Sequence, residues 1–498
     1  MARIAVIGAG MGAMATAARL ATAGHRVTVY ERSAAHGGSV GGFTRAGFGF
    51  DTGPGLLHLP AVWRDFFVKT GKEPLERTVT LTQVDPSSRH VFADGTSVAL
   101  PNASRAGVVS ALDTALGAGS GERWGEFLGR AREAWERSRR PLLEEPRPAG
   151  GTLGHDDPYP ALRRGLLRRG ARTLGEIGDR ELRDPRLAAL LASHATAYGL
   201  DPRTAPASAA VLPYMEQTFG SWYVAGGIRA LADAVYERCL ARGVRFVFDC
   251  AVTGVMTRDG RAVGVETGVE GPVEADAVVS GAPVPSLYEE QVVAWERQDE
   301  WPHWQSPVRT GRVTVLLALR GGRPGDAAHR TVVHAPDAAG EWDAVAAGRV
   351  APRPTVTVLR PDDPLLRPDD AHEPVTLTAT VPAVPAARAS WAEAGPDVAE
   401  LMVATAEAAV PGLRDRILWR EVRTPDDIRA ATGSPVVPPP ALAGAAGALL
   451  PASNTSPLPG LYFAGGWAHP GGGLAHAGMS GALVSGLIVE GSGFRGSQ

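Results

Sequence analysis

The chain has 498 residues, 44% of them apolar and 21% charged. That is enough for two domains around a substantial core, and it excludes a wholly disordered chain. Fifty basic residues against 53 acidic ones give a net charge of −3, which leaves no global field toward nucleic acid or anionic lipid. Cys239 and Cys250 provide neither a disulfide framework nor metal-ligand spacing, so no metal is expected and a reducing, cytoplasmic setting is. No run of about 18 apolar residues predicts a membrane-spanning helix. Residues 4–23 lack the charged leading region of a secretory signal, and none is expected.

The chain opens with a strand, Arg3–Ile7, a glycine turn, an alanine-rich helix to about Ala23 and a second strand, Val27–Tyr30, ending in Glu31. Residues 60–214 differ. Arg/Glu-rich stretches at Gly121–Arg140 and Tyr159–Leu191 read as helical, Glu145–Tyr159 as a Pro/Gly-rich loop, and Thr78–Leu100 as a few strands. A second α/β signature follows: a helix from Gly227 to about Arg242, the strand Val244–Phe248, a hairpin around Asp259-Gly260 and a strand at Ala277–Ser280. Residues 307–320 and 354–383 read as strands of a separate sheet, with Val313–Leu319 the clearest. Val436–Leu450 reads as a loop. The chain closes with a strand, Leu461–Ala464, a glycine-rich turn and a helix, Met479–Val489. Nucleotide-type signatures thus stand at the start, middle and end. The expected fold class is α/β: a Rossmann-like domain made of 1–59, 215–285 and 415–498, interleaved with a mixed α+β substrate domain made of 60–214 and 286–414.

The spacing Gly8-x-Gly10-x-Gly12-Ala13 lies on a strand-to-helix turn, and Glu31 comes 23 residues after Gly8. Gly8 suits the tight turn, Gly10 lets backbone approach a pyrophosphate at the helix N-terminus, and Ala13 keeps helix and strand close. Glu31 is placed to accept hydrogen bonds from ribose hydroxyls. This fingerprint fits NAD or FAD alike. Gly37-Gly38-Ser39 and the run Gly47 to Gly55, containing Asp51-Thr-Gly53-Pro54, follow it. A glycine run from Gly471 to Gly478, ahead of the last helix, suits a planar ring lying against backbone.

These motifs resemble the FAD-dependent phytoene desaturase family, within the flavin amine oxidases, over nearly the whole chain. Glu31–Gly38 resembles its acid-then-Gly-Gly motif and Phe50–Pro54 its Phe-Asp-x-Gly-Pro motif. Tyr223 to Leu231 resembles its Gly-Gly helix start, and Thr424 to Asp427 a family turn. Leu461 to Gly473 resembles the closing motif of the methoxyneurosporene desaturase branch. The resemblance implies FAD held by Gly8, Gly10, Gly12, Ala13, Glu31, Arg32, Gly37, Gly38, Ser39, Gly53, Pro54, Gly55, Val252, Gly465, Gly466, Gly473 and Leu474, with Val252 on the strand facing the adenine. The chain departs from the family at Met14, Gly55, Trp467 and Leu474-Ala475-His476.

The implied activity is dehydrogenation of a hydrophobic polyene, such as a carotenoid or polyketide-derived chain, forming a C=C bond. Amine oxidation, a flavin isomerisation without net oxidation, and prenyl-protein binding of the GDP-dissociation-inhibitor type are the alternatives. His58, His469 and His476 lie in the motifs and are the candidates for proton transfer. Trp467, Tyr198, Tyr214, Phe219 and Trp222 are expected to border an apolar substrate tunnel. Five arginines among leucines over Leu162–Arg172 read first as a solvated helix face and second as a peripheral membrane contact.

Overall fold

The strand Arg3–Ile7 is buried after its first residue because it is the centre of a five-stranded parallel sheet. The order is Arg245–Val247, Arg26–Tyr30, Arg3–Ile7, Ala277–Ser280, Leu461–Phe463. A parallel sheet covered on both faces favours continuous apolar runs, and Val6, Val29, Val278 and Val279 are wholly enclosed. This computed structural model describes residues 1–147, 154–162, 170–293, 309–386 and 390–496. No helix among them is long and apolar enough to cross a membrane. The arginine-rich stretch Leu162–Arg172 lies outside the described residues over 163–169.

The first helix, Met11–Thr22, packs against the last, Leu474–Glu490, at very short range. A Cβ on Gly12 would stand 2.5 Å from the Gly465 Cα, and one on Gly481 would stand 2.7 Å from the Ala15 Cβ. The last helix starts at Leu474, five residues earlier than the sequence pattern predicts. Gly478 reads as a turn residue and Gly481 as a helix residue; in the fold both are helix positions where Trp63 with Val62, and Ala15 with Thr16, leave no space for a side chain. The helical stretch expected over Tyr159–Leu191 is likewise divided. Leu174–Ile177 runs into a π-helical turn, Gly178–Leu182, which ends at Arg183, and Pro185–Thr196 starts afresh with Asp184 capping it.

The second sheet has seven strands, in the order Ile417–Arg423, Thr310–Arg320, His372–Pro382, Val356–Leu359, Arg330–Val333, Ser88–Val91, Ser97–Leu100. Ile417–Arg423 falls within the segment 415–498 that the sequence assigns to the nucleotide unit. It is instead an edge strand here, antiparallel to Thr310–Arg320. Alternation sorts the two faces. Val313, Val315, Leu317, Val356, Val358, Val375 and Leu377 turn to the helix Trp391–Ala406 and form one core. Arg312, Thr355, Thr357, Thr378 and Thr380 lie on the opposite face. A third core, led by Trp124, Phe127 and Trp135, joins the helices Arg105–Leu116, Ser120–Arg139, Pro185–Thr196 and Val211–Phe219.

Asp51 ties two motifs that are far apart in sequence. Its carboxylate accepts the backbone N–H groups of Ile228 (2.8 Å) and Arg229 (2.9 Å), capping the helix Ile228–Ala241 that follows Gly226-Gly227. Burial outweighs these two bonds and pushes the carboxyl up from its ordinary 3.8 to about 6. A raised carboxyl pKa stabilises the fold fully below the unfolded value and loses that contribution as pH rises through the folded value. Between about pH 4 and 6, wild type is therefore expected to lose stability relative to Asp51→Asn, by up to about 3 kcal/mol. Urea midpoints of the two proteins across that range check this; parallel pH profiles would show an unperturbed carboxyl.

Candidate functional site

A cavity of about 690 Å³ lies between the two sheets. Every residue singled out above for the cofactor lines it, from Gly8 and Glu31 at one end through Gly37, Gly53 and Val252 to Gly465 and Leu474. The turn after the first strand is held by backbone. Gly8 has φ +86 and donates its N–H to the Tyr30 carbonyl (2.8 Å), and Gly37 donates to the Ala9 carbonyl (2.8 Å).

The glycines of these motifs do two different things. A Cβ on Gly10 or Gly465 would meet nothing within 4 Å, so both positions keep the cavity itself open. A Cβ on Gly12, Gly37 or Gly53 would instead strike protein backbone, at 2.5 Å from Gly465, 2.4 Å from Val40 and 2.0 Å from Ser39. These three permit segment-to-segment contact. The cradle therefore has the shape an FAD pyrophosphate and ring demand: bare backbone facing the space, at the N-terminal end of Met11–Thr22.

Glu31 is more engaged than its spacing implies. Its Oε2 accepts the Ala9 N–H (2.7 Å), and its Oε1 accepts the Ser33 N–H (2.9 Å) and hydroxyl (2.7 Å). A carboxylate offers about four acceptor positions, so room is left for one further bond, on Oε2. Glu31 braces the glycine turn as well as facing the cavity.

Beyond Leu474 the cavity opens into a chamber between the helical layer and the threonine face of the second sheet. The expected tunnel was apolar. The chamber has apolar walls at Leu212 and Met215, but Thr355, Thr357, Thr378, Thr380 and Arg312 form a polar floor. The cause is the strand alternation, which gives Val and Leu to the helix-covered face and leaves the β-branched polar residues for the cavity.

Glu216 stands in this chamber, paired with the guanidinium of Arg330. Burial alone would raise its carboxyl; Arg330, then the His194 and His58 rings, overcome this and hold it well below the usual carboxylate range. His194 and His58 are themselves pushed down by burial, against the pull of Glu216. Sequence reasoning missed Glu216, His194, Arg312 and Arg330. The available signal was a charged or imidazole group set into an apolar run, as in Leu190-Leu191-Ala-Ser-His194 and Val211-Leu-Pro-Tyr-Met-Glu216.

Tyr198 and Trp467 line the cavity. Tyr198 approaches the flavin-side turn: a Cβ on Gly473, which has φ +107, would lie 3.7 Å from its hydroxyl. Tyr214, Phe219 and Trp222 are elsewhere. Tyr214 and Phe219 pack on Trp135, with ring centroids 6.4 Å and 5.9 Å away. Trp222 donates its indole N–H to the Phe219 carbonyl and lies under Arg64. Among the histidines, His58 and His476 line the cavity and His469 does not. His469 is fully buried, its Nε2–H donates to the Glu145 carbonyl (3.0 Å), and burial pushes its pKa down to about 3. His476 is buried beside Gly473, with no hydrogen-bond partner for its ring among the described residues, and burial lowers it to about 4.

The sequence matches the Flavin containing amine oxidoreductase family over residues 14–314. It is 28% identical to a zeta-carotene-forming phytoene desaturase of Myxococcus xanthus, over 97% of this chain and 93% of that protein. It is 29% identical to a 4,4'-diapolycopene oxygenase of Methylomonas sp, over 98% of each. The fold superposes on an oxidoreductase from Methanosarcina mazei with a TM-score of 0.67 at 17% identity, covering 97% of this chain and 99% of that one. The bare-backbone cradle and the sequence match agree, and the chain belongs to the flavin containing amine oxidoreductase family, with FAD as its cofactor.

Proposed function

We propose that this protein is an FAD-dependent desaturase that introduces a C=C bond into a long, largely apolar polyene. The continuity of the cavity carries the reading: one space joins the glycine cradle to a chamber roofed by the inserted segments. The full-length likeness to a phytoene desaturase supplies the substrate class. In this reading 1–59, 215–285 and the segment after Arg423 hold the cofactor, and the remainder holds the substrate. The setting is cytoplasmic, with a peripheral membrane contact through which a lipid-soluble substrate enters.

Gly8, Gly10 and the N-terminus of Met11–Thr22 receive the pyrophosphate, Glu31 one ribose hydroxyl, and Gly465 to Leu474 the flavin side. FAD, when bound, supplies the hydride acceptor. The substrate loses one hydride and, from the adjacent carbon, one proton. His476 is neutral, faces the cavity beside Gly473 and is able to take that proton. An amine substrate suits the chamber less well. Arg312 lines it without a carboxylate partner among the described residues, while the Glu216 carboxylate there is already paired with Arg330.

Gly10 has φ −72 and ψ 164, which any residue adopts, and open space before it. Gly10→Val is expected to fold with an apo-form melting temperature near wild type while binding FAD roughly 10- to 100-fold more weakly. Gly12→Val, driven into Gly465, is expected to lose both stability and flavin; flavin absorbance and thermal melts separate the two cases. Anaerobic mixing of the yellow holoprotein with acyclic polyenes is expected to bleach the flavin in one turnover. Bleaching by amines and not by polyenes would overturn the reading. With His476 as proton acceptor, the bleaching rate should stay level from pH 8 to about 5 and fall only toward pH 4, and His476→Gln should slow it without loss of FAD.

A further inference from the structure

Arg312 stands on the chamber floor as a cation that the protein leaves uncompensated. It lies opposite Thr380 across the strands Thr310–Arg320 and His372–Pro382, on the face turned to the cavity. One guanidinium N–H donates to the Ala197 carbonyl (2.5 Å), just past the helix Pro185–Thr196. The neighbouring carbonyls already have donors: Thr380 bonds Thr196 (2.9 Å) and Thr310 bonds Gly199 (2.9 Å). The other N–H groups of Arg312 have no protein acceptor among the described residues. Burial pulls the guanidinium down from its ordinary value, yet an arginine stays charged. No counter-charge comes from the chamber's other described residues. Glu216 is taken by Arg330, and burial keeps the rings of His58, His90 and His194 toward the neutral form. The chamber thus holds one positive charge in excess, between apolar walls at Leu212 and Met215. Thr378, on the same strand face, adds a hydroxyl with no partner among the described residues.

A desolvated cation without a counter-ion is costly, and a ligand that neutralises it is bound in preference to one that does not. We infer that Arg312 anchors a carboxylate on the substrate, so that the chamber takes a polyene acid. This assignment rests on the desaturase reading and names the substrate class within it. The planar guanidinium fork matches the two oxygens of a carboxylate, and the Thr378 hydroxyl is a further donor for the same group. Charge selects among the alternatives. A single carboxylate balances the excess, whereas a phosphate ester brings about two negative charges at neutral pH. An ammonium adds to the excess, and a hydrocarbon or an alcohol leaves Arg312 unpaired. The position suits an anchor as well. Ala197, which holds Arg312, precedes Tyr198, whose hydroxyl approaches Gly473 on the flavin side. An uncharged chain can slide along apolar walls, while one fixed end sets which bond stands at the flavin.

The test uses the wild-type holoprotein and three matched probes: an acyclic conjugated polyene, its terminal carboxylic acid, and the primary amide of that acid. The amide keeps the shape and one carbonyl oxygen but carries no charge. Binding is read by tryptophan quenching and turnover by anaerobic flavin bleaching, both at neutral pH. The acid is expected to exceed the amide and the hydrocarbon by at least about 10-fold in Kd or kcat/KM. Arg312→Met, checked for FAD content and melting temperature, is expected to bring the acid-to-amide ratio close to 1. If wild type bleaches equally with all three probes, or if Arg312→Met folds, holds FAD and keeps the full acid preference, the anchor is wrong while the desaturase reading stands. If no polyene bleaches the flavin at all, both fall. Should the variant not fold or not hold FAD, the wild-type comparison of acid with amide still decides.

Discussion

The fold depends on a contact made without side chains. The start of Met11–Thr22, the turn at Gly465 and the body of Leu474–Glu490 approach so closely that only glycine at positions 12 and 481 fits between them. Chain segments more than 450 residues apart in sequence are thereby locked around the central strand of the first sheet. Backbone-to-backbone packing of this kind tolerates little, since an interior already at crystal-like density has no slack to absorb a methyl group. What it provides is position. The bare faces of Gly10 and Gly465 end up on one cavity because Gly12 and Gly481 have removed the distance between their segments.

Asp51 extends the same logic to the middle of the chain. By capping Ile228–Ala241 from the end of the strand Phe48–Asp51, it fixes the second motif group against the first, at the cost of a carboxylate held where water would serve it better. The second sheet then closes the chamber. Its buried pairing of Arg360 with Glu373, bidentate at 2.6 and 2.9 Å and joined by Arg416 at 2.8 Å, ties the end of Val356–Leu359 and the start of Ile417–Arg423 to the strand His372–Pro382.

The first sheet and its glycine turn were legible from residues alone, because a parallel strand buried on both faces and a glycine-bearing turn leave local signatures at Arg3–Ile7 and Gly8–Ala13. The end of the chain was read less well. Gly478 looks like a turn residue in sequence, and only the presence of Trp63 in space shows it to be a close-packing position inside a helix. The aromatics fared unevenly for a similar reason. Tyr198, Tyr214, Phe219 and Trp222 lie near one another in sequence, but Tyr198 lines the cavity, Tyr214 and Phe219 pack on Trp135, and Trp222 packs on the core of the first sheet. Glu216 and His194 fit no fingerprint. Glu216 pairs with Arg330 across 114 residues and lies beside His194, relations that spacing cannot express.

The two-faced second sheet separates what keeps the protein folded from what it selects. Its valines and leucines answer to the helix Trp391–Ala406, while Thr357 and Thr378, which alternate with them, face the chamber; Thr355 and Thr380 also line it but bond Glu341 and the Thr196 carbonyl. Substitutions at Thr357 or Thr378 can thus accumulate without disturbing the core on the other side of the same strands. A lineage carrying this architecture can drift from one ligand to another by single codon changes, with no compensating repair of the scaffold.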